Sequence, residues 1–302
     1  MESTAIKTGQ HESVESRTDG RLDFSVIADV DSSVVGRLYQ RAPLRALFPR
    51  PERGEPFTVV LVNSSGGIIG GDQLEVTLEA TDGASLLVTG QAAEKVYRST
   101  GRIAEATTTL IAGPDSLFEF LPQGTIVYDG ARFRRVTTIK ASPGSRVMAG
   151  EVLSLGRVER GERFTTGLLH DEWRVHAGDR LIWGDALHLS NNDPVDGDGP
   201  DGNVTGITTA LNSRAGFAGS PAYATFLYVA SDAKEQLELA RRLLADTPDT
   251  VRAGVTSFDG LIVARWLGAN PAEVRGAFGR FWARFRADVI GGAERLPTIW
   301  NI

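Results

Sequence analysis

The stretch QLEVTLEA at residues 73–80 alternates without a break, with Leu74, Val76, Leu78 and Ala80 on one face and Glu75, Thr77 and Glu79 on the other. A period of two is the signature of a strand with one face against a core. Laid on a helix, the same residues would scatter their apolar side chains around the axis. FTVVLV, residues 57–62, is a second and mostly β-branched run. The two are joined by NSSGGIIGGDQ, residues 63–73, which therefore connects strand to strand. From Arg21 to about Ala230 the pattern continues: SLLVTG, EATTTLIA, SLFEFL, TIVYD, RVTTIKA, RVMAGEVLSL, EWRVHA and RLIWGDALHL are short, β-prone and separated by Gly, Pro, Asn and Asp. A spacing of roughly 8–14 residues predicts stacked antiparallel sheets and does not fit βαβ units. No internal sequence repeat accompanies it.

Two segments read as helices, both in the C-terminal half. The first spans about Ala233 to Ala245, with Leu237, Ala240, Leu243 and Leu244 on one stripe and Asp232 as its N-cap. The second begins at Pro271, with Asn270 as N-cap and Glu273 where a capping box needs it. Its Val274, Phe278, Phe281, Trp282, Phe285 and Val289 follow helical spacing, and such a stripe packs into a core or docks a partner. The closing LPTIWNI is apolar and should dock on the body or on a partner. Residues 1–20 are polar and read as a disordered tail, which leaves one domain over 21–302.

Composition removes several classes of function. The 302 residues include no cysteine, so disulfides, thiolate metal sites, iron–sulfur clusters and a cysteine nucleophile are excluded. A net charge of −6 argues against a dedicated nucleic-acid binder, which would carry a basic face. No apolar run is long enough to span a bilayer, and the first twenty residues lack the apolar centre of a secretory signal. A cytoplasmic protein is expected.

The motifs that could carry chemistry are few. GGIIGGD, Gly66 to Asp72, invites a phosphate-loop reading, but a dinucleotide loop must open a helix and this one opens a strand; no Gly-Lys-Ser/Thr follows either. Paired glycines instead permit a sharp bend or the close approach of another backbone. His11, His170, His176 and His188 match no metal-binding spacing. There is no G-x-S-x-G elbow. Residues 190–206 form a turn-rich loop holding Asp193, Asp196, Asp198 and Asp201 without an EF-hand pattern, and a solvated loop is the expectation.

Several segments together resemble the urease accessory protein UreD family, called UreH in some organisms. NSSGGIIGGDQL is similar to its glycine-pair signature, with Gly66, Gly67, Gly70, Gly71 and Asp72 in place. VTGQAAEKVYRS, containing Tyr97 and Arg98, resembles a second segment. FLPQGTIVYDGARF resembles a third, and GEVLSLGR, containing Glu151 and Gly156, a fourth. LIVARWLG and LPTIWNI resemble the closing pieces, and the order is that of the family from about residue 57 to 302. Gly124, Gly150 and Glu94 depart from the pattern.

The resemblance implies a mainly β fold of layered antiparallel or mixed sheets with a pair of helices. It implies no enzymatic turnover and no tightly bound cofactor. The implied role is a maturation scaffold that binds apo-urease and recruits UreF, and through it the GTPase UreG, with nickel passing through the interior to the urease active site. Weak oxygen ligands suit an ion in transit, so Asp72 and Glu151 are the carboxylates expected to line or shape that route. The plainer alternative is that Asp72 caps a turn and Glu151 pairs with a buried arginine. A β-sheet hydrolase and a generic interaction module presenting the aromatic helix are the competing functions.

Overall fold

The computed structural model describes residues 18–30, 32–50, 54–191 and 206–301. The chain starts with a hairpin of β1 (Asp19–Asp29) and β2 (Ser32–Arg41), then places β3 (Leu44–Leu47) and β4 (Phe57–Asn63) in a second, facing sheet. From there it winds. β5 (Gln73–Ala80) returns to the first sheet, β6 (Ser85–Gly90) to the second, with the short β7 (Glu94–Val96) at its margin. β8 (Ala104–Ala112) lies in the first sheet and β9 (Leu117–Leu121) and β10 (Thr125–Val127) in the second. β11 (Arg132–Ala141), β12 (Arg146–Leu155) and β13 (Leu168–Ala177) continue the alternation, and β14 (Arg180–Ser190) closes the edge of the first sheet.

α1 (Gly206–Asn212) follows. Then come β15 (Ala222–Val229), α2 (Leu237–Leu244), the hairpin β16 (Val251–Phe258) and β17 (Leu261–Gly268), and finally α3 (Pro271–Ile290). The first sheet runs β14-β13-β11-β8-β5-β1-β2, and the second β16-β17-β15-β12-β9-β6-β4-β3, with β10 beside β12 and β7.

The mainly β class with mixed sheets stands, and the antiparallel pairs sit at the ends of the sheets. At their centres the pairing is parallel: β1 with β5, β5 with β8, β8 with β11, β11 with β13, and β4, β6, β9 and β12 in turn. The strand spacing excluded helical crossovers, but a strand of the facing sheet also serves as a crossover. Two sheets pack about 10 Å apart, so a few residues bridge the gap. The result is a two-sided solenoid whose coils repeat in space without repeating in sequence.

The sequence reading missed one helix and misplaced parts of others. Three helices form among the described residues where two were expected, the added one being the short α1. α2 begins at Leu237 and not near Ala233, and Asp232 is not its cap. The Asp232 carboxylate instead accepts the Tyr228 hydroxyl at 2.7 Å and the Arg146 guanidinium at 3.3 Å. Asp19 and Gly20, assigned to the tail, belong to β1, because pairing with β5 captures their backbone. The remaining tail expectation (residues 1–17) and the aspartates of the 190–206 loop lie outside the described residues. α3 starts as expected, with Asn270 Oδ1 accepting from Ala272 N at 2.8 Å, although Glu273 turns outward to accept the Thr250 hydroxyl at 2.6 Å.

Two cores result. One fills the space between the sheets, and the other lies between the back of the second sheet and helices α2 and α3. β12 is sandwiched by both, so nine of its ten residues are buried. Val147, Ala149, Glu151, Leu153 and Leu155 face the first sheet, while Met148 and Val152 face the helices. Gly150 leaves room for the Phe278 ring of α3: an added Cβ would come within 2.9 Å of it. The C-terminal tail docks on the body. Trp300 is buried, donates from Nε1 to Leu121 O at 3.2 Å, and lies under the Arg275 guanidinium at 4.2 Å.

Candidate functional site

The glycine turn between β4 and β5 is a packing device before it is anything else. Ile68 makes an isolated parallel bridge to Val96, with Ile68 N donating to Lys95 O at 2.7 Å and Tyr97 N to Ile68 O at 2.9 Å. Backbone must approach backbone for that bridge. A Cβ at Gly67, whose φ is +152°, would lie 2.4 Å from the Tyr97 ring and 2.7 Å from Lys95 O; one at Gly70 would lie 2.2 Å from Ser99 Oγ. Gly66 and Gly71 take positive φ at the two ends of the turn. Tyr97 returns its hydroxyl to Gly66 O at 3.1 Å. Gly67→Ala should therefore cost about 2–4 kcal/mol, combining positive φ with a clash against fixed backbone, read as a fall in urea midpoint at unchanged m-value.

Asp72 ends this turn. Its carboxylate accepts Thr18 N at 3.2 Å through Oδ1 and Ile69 N at 3.0 Å through Oδ2, and the side chain is buried. Arg98 lies further along the same ladder, reaching the Asp129 carbonyl at 3.3 Å and its carboxylate at 3.4 Å. Asp129 Oδ1 collects four donors from the backbone and hydroxyls of Thr165 and Thr166. Burial opposes its charge, but those donors outweigh it and hold Asp129 below the usual carboxylate range. Gly156, at φ +101°, donates to Val127 O at 2.8 Å. Four segments that are far apart in sequence thus assemble along one rung: the glycine turn, β7, β10 and the end of β12.

Glu151 sits one layer deeper. Alternation along β11 puts Phe133, Arg135, Thr137 and Ile139 on its inner face, and alternation along β13 does the same for Leu169, Asp171, Trp173 and Val175. The parallel register sets Arg135 directly beside Asp171. The guanidinium binds Asp171 through Nε at 2.8 Å and Nη2 at 2.9 Å, reaches Thr125 Oγ1 through Nη1 at 3.0 Å, and pairs with Glu151 through Nη2. Trp173 Nε1 donates to the other Glu151 oxygen at 3.4 Å.

Two carboxylates share one cation here. Burial raises Glu151 well above its ordinary value, Arg135 opposes this only in part, and neighbouring Asp171 adds to it. Burial also presses on Asp171, but its bidentate bond to Arg135 wins and holds it below. Arg135 stays charged, since the two acids outweigh its own burial. The cluster therefore sets a raised Glu151 carboxyl and a depressed Asp171 carboxyl around one guanidinium.

Glu151 and Arg135 line a cavity of about 320 Å³ between the sheets. Glu94, also in its wall, accepts Asn63 Nδ2 at 3.3 Å, and burial raises it as well. Residues 91–93 and 123–125 belong both to this wall and to that of an outer groove of about 750 Å³. The inner and outer hollows therefore share a stretch of wall that includes Gly124, whose φ is +106°. Asp72 does not line either hollow. The structure thus separates the two carboxylates singled out in the sequence, one on the glycine turn and one in the interior. Arg135, Asp171 and Glu94 went unassigned in the sequence reading. The available signal was a charged residue recurring on the apolar face of an alternating strand, at Arg135 in RFRRVTTI and at Asp171 in LLHDEWRV.

Comparison with known proteins bears on this assembly. Residues 18–301 match the family model described as UreD urease accessory protein. A urease accessory protein UreD from Magnetococcus marinus is 37% identical over 286 residues, covering 94% of each chain. One from Azorhizobium caulinodans is 35% identical over 286 residues, covering 95% of this chain and 97% of its own. One from Xanthobacter autotrophicus is 34% identical over 299 residues, covering 98% and 94%.

Proposed function

This chain belongs to the UreD urease accessory protein family, and from that premise we propose that it is a scaffold that carries nickel, as cargo, through the space between its two sheets toward apo-urease. The general role follows from membership: the protein is an accessory factor in urease maturation and not an enzyme. The route, and recruitment of UreF and through it of the GTPase UreG, are the finer part of the proposal.

The observation that carries the route is the interior cavity with Glu151 and Glu94 in its wall. An ion in transit needs ligands that capture and release it. A carboxyl that burial shifts toward its protonated form does both, releasing its proton to water as a divalent cation binds and taking one back from water when the ion leaves. A fully ionised pair would hold the ion too tightly, and an apolar wall would exclude it. Arg135 does not repel the cargo with a net charge, because Asp171 neutralises it. The shared wall around Gly124 supports an opening to the outer groove. Asp72 contributes by holding the turn that shapes this region.

Partner binding is supported by the edge strand β2, where Val34, Val35, Leu38 and Tyr39 are all exposed. Among the described residues no second strand pairs with β2, and an edge with apolar side chains is a surface suited to another chain. The aromatic face of α3 is buried in the second core and does not serve that purpose.

The test uses Glu151→Ala and Asp72→Ala in a urease activation assay containing UreF, UreG, apo-urease and nickel. Glu151→Ala should lower activation at least about tenfold while co-purification with UreF is retained, because Arg135 keeps its partner Asp171 and the fold holds. Unchanged activation by both folded, UreF-binding variants would sink the route.

A further inference from the structure

On the outer face of the first sheet, away from the cavity, two histidines meet across the β13–β14 pair. His170 and His188 are directly opposed in register. Their Nδ1 atoms are 3.2 Å apart, and the rings meet edge to face at 5.4 Å between centroids. On the same strand, Glu172 Oε2 lies 3.4 Å from His170 Nε2 and is itself anchored by Arg174 Nε at 2.6 Å.

We infer that His170 and His188 form a weak, exchangeable two-imidazole site for a borderline divalent transition-metal ion such as nickel or zinc. Three features of the geometry carry this. Imidazole nitrogens bound about 2.1 Å from one metal ion stand about 3.0 Å apart at a right angle and about 3.4 Å apart at the tetrahedral angle. The observed 3.2 Å falls between those limits, so both rings reach a common ion by small rotations about their side-chain torsions. Glu172 supplies the second feature. In the tautomer that carries its hydrogen on Nε2, facing Glu172, His170 presents the Nδ1 lone pair to the site, the arrangement in which a carboxylate orients a metal-binding histidine from behind.

The third feature is the rigidity of the platform. Both residues lie within paired strands, so the backbone separation is set before any ion arrives.

The site is open and weak by construction. Among the described residues no group of three or more His, Cys, Asp or Glu is placed to hold a metal. Two imidazoles therefore bind with water completing the shell. His188 is exposed and His170 half-buried, and Arg134, in register with His170 on β11, is exposed beside them and tempers the affinity. The absence of cysteine leaves no thiolate in the chain to compete. The inference stands apart from the transit reading: His170 faces outward where its neighbour Asp171 faces inward, and metal should bind the pair whether or not the cavity conducts.

The experiment is a calorimetric titration of the tag-free, full-length chain with nickel chloride, paired with X-ray absorption of the bound ion. One saturable site of micromolar affinity is expected, with imidazole scattering from two histidines. His170→Gln and His188→Gln should each weaken it at least about tenfold, and Glu172→Gln should weaken it by about tenfold. His11→Gln, His176→Gln and Glu151→Ala should leave it within about twofold, which separates this site from the interior route. No saturable binding, an absorption spectrum without imidazole, or native affinity in His188→Gln would overturn the assignment. The spectrum of the unaltered protein decides the matter even if a histidine variant folds poorly.

Discussion

Arg135→Met should destabilise the fold by about 3–5 kcal/mol, seen as a large fall in denaturation midpoint, because it leaves two buried carboxylates without their common cation. Asp171 and Glu151 are 4% and 2% exposed, so water cannot replace the guanidinium. Most of that cost is the penalty of the stranded charge and not the worth of the ion pair. The triple change Arg135→Met, Asp171→Asn, Glu151→Gln should therefore recover most of the loss. If the single variant melts like the native protein, the cluster is more hydrated than its burial states.

The two acids carry opposite pH signatures. Asp171 is depressed in the fold, so its contribution is present above its unfolded value and is lost as pH falls through the folded one. Glu151 is raised, so its contribution is full below its unfolded value and is lost as pH rises through the folded one. Glu151→Gln removes only the second loss. Its stability relative to the native chain should rise as pH climbs from acid toward neutral, measured by urea midpoints across that range.

Phe226→Ala carries the second large effect, a loss of about 3–5 kcal/mol. The Phe226 ring is buried on β15 and meets Phe281, Trp282 and Phe285 of α3 edge to face, at 5.0, 5.3 and 5.2 Å between centroids. Removing it opens a cavity in the aromatic layer between α3 and the sheet, and helix and strand are too rigid to collapse into it. Thermal unfolding should shift strongly, whereas Val34→Ala on the exposed edge should change stability by under about 0.5 kcal/mol. An unaffected midpoint in Phe226→Ala would return the aromatic stripe to the partner-groove reading.

Much of the candidate site was readable one strand at a time. The alternation of β5 appears in the structure with Leu74 and Leu78 buried, and the glycine pairs bend between strands as their neighbours required. The N-cap at Asn270 and the stripe of α3 were legible because both depend on residues within a few positions of each other. Asp232 misled because a good capping residue was claimed by Tyr228 and Arg146, partners that local sequence does not reveal. The parallel centre of the sheets was hidden for a related reason. Strand spacing reports how far apart two strands lie along the chain and not which sheet each one joins.

By itself the sequence determined that this protein is built from short strands, that the residues at 66–72 form a bend and not a phosphate loop, and which face of each strand is apolar. These are properties of local geometry, where period and glycine placement act through neighbouring bonds. Only the tertiary structure decided that Arg135, Asp171 and Glu151 meet in one buried cluster while Asp72 stays on the turn. Three separate strands supply those side chains, and one residue of register slip in any of them would turn its charge to the opposite face.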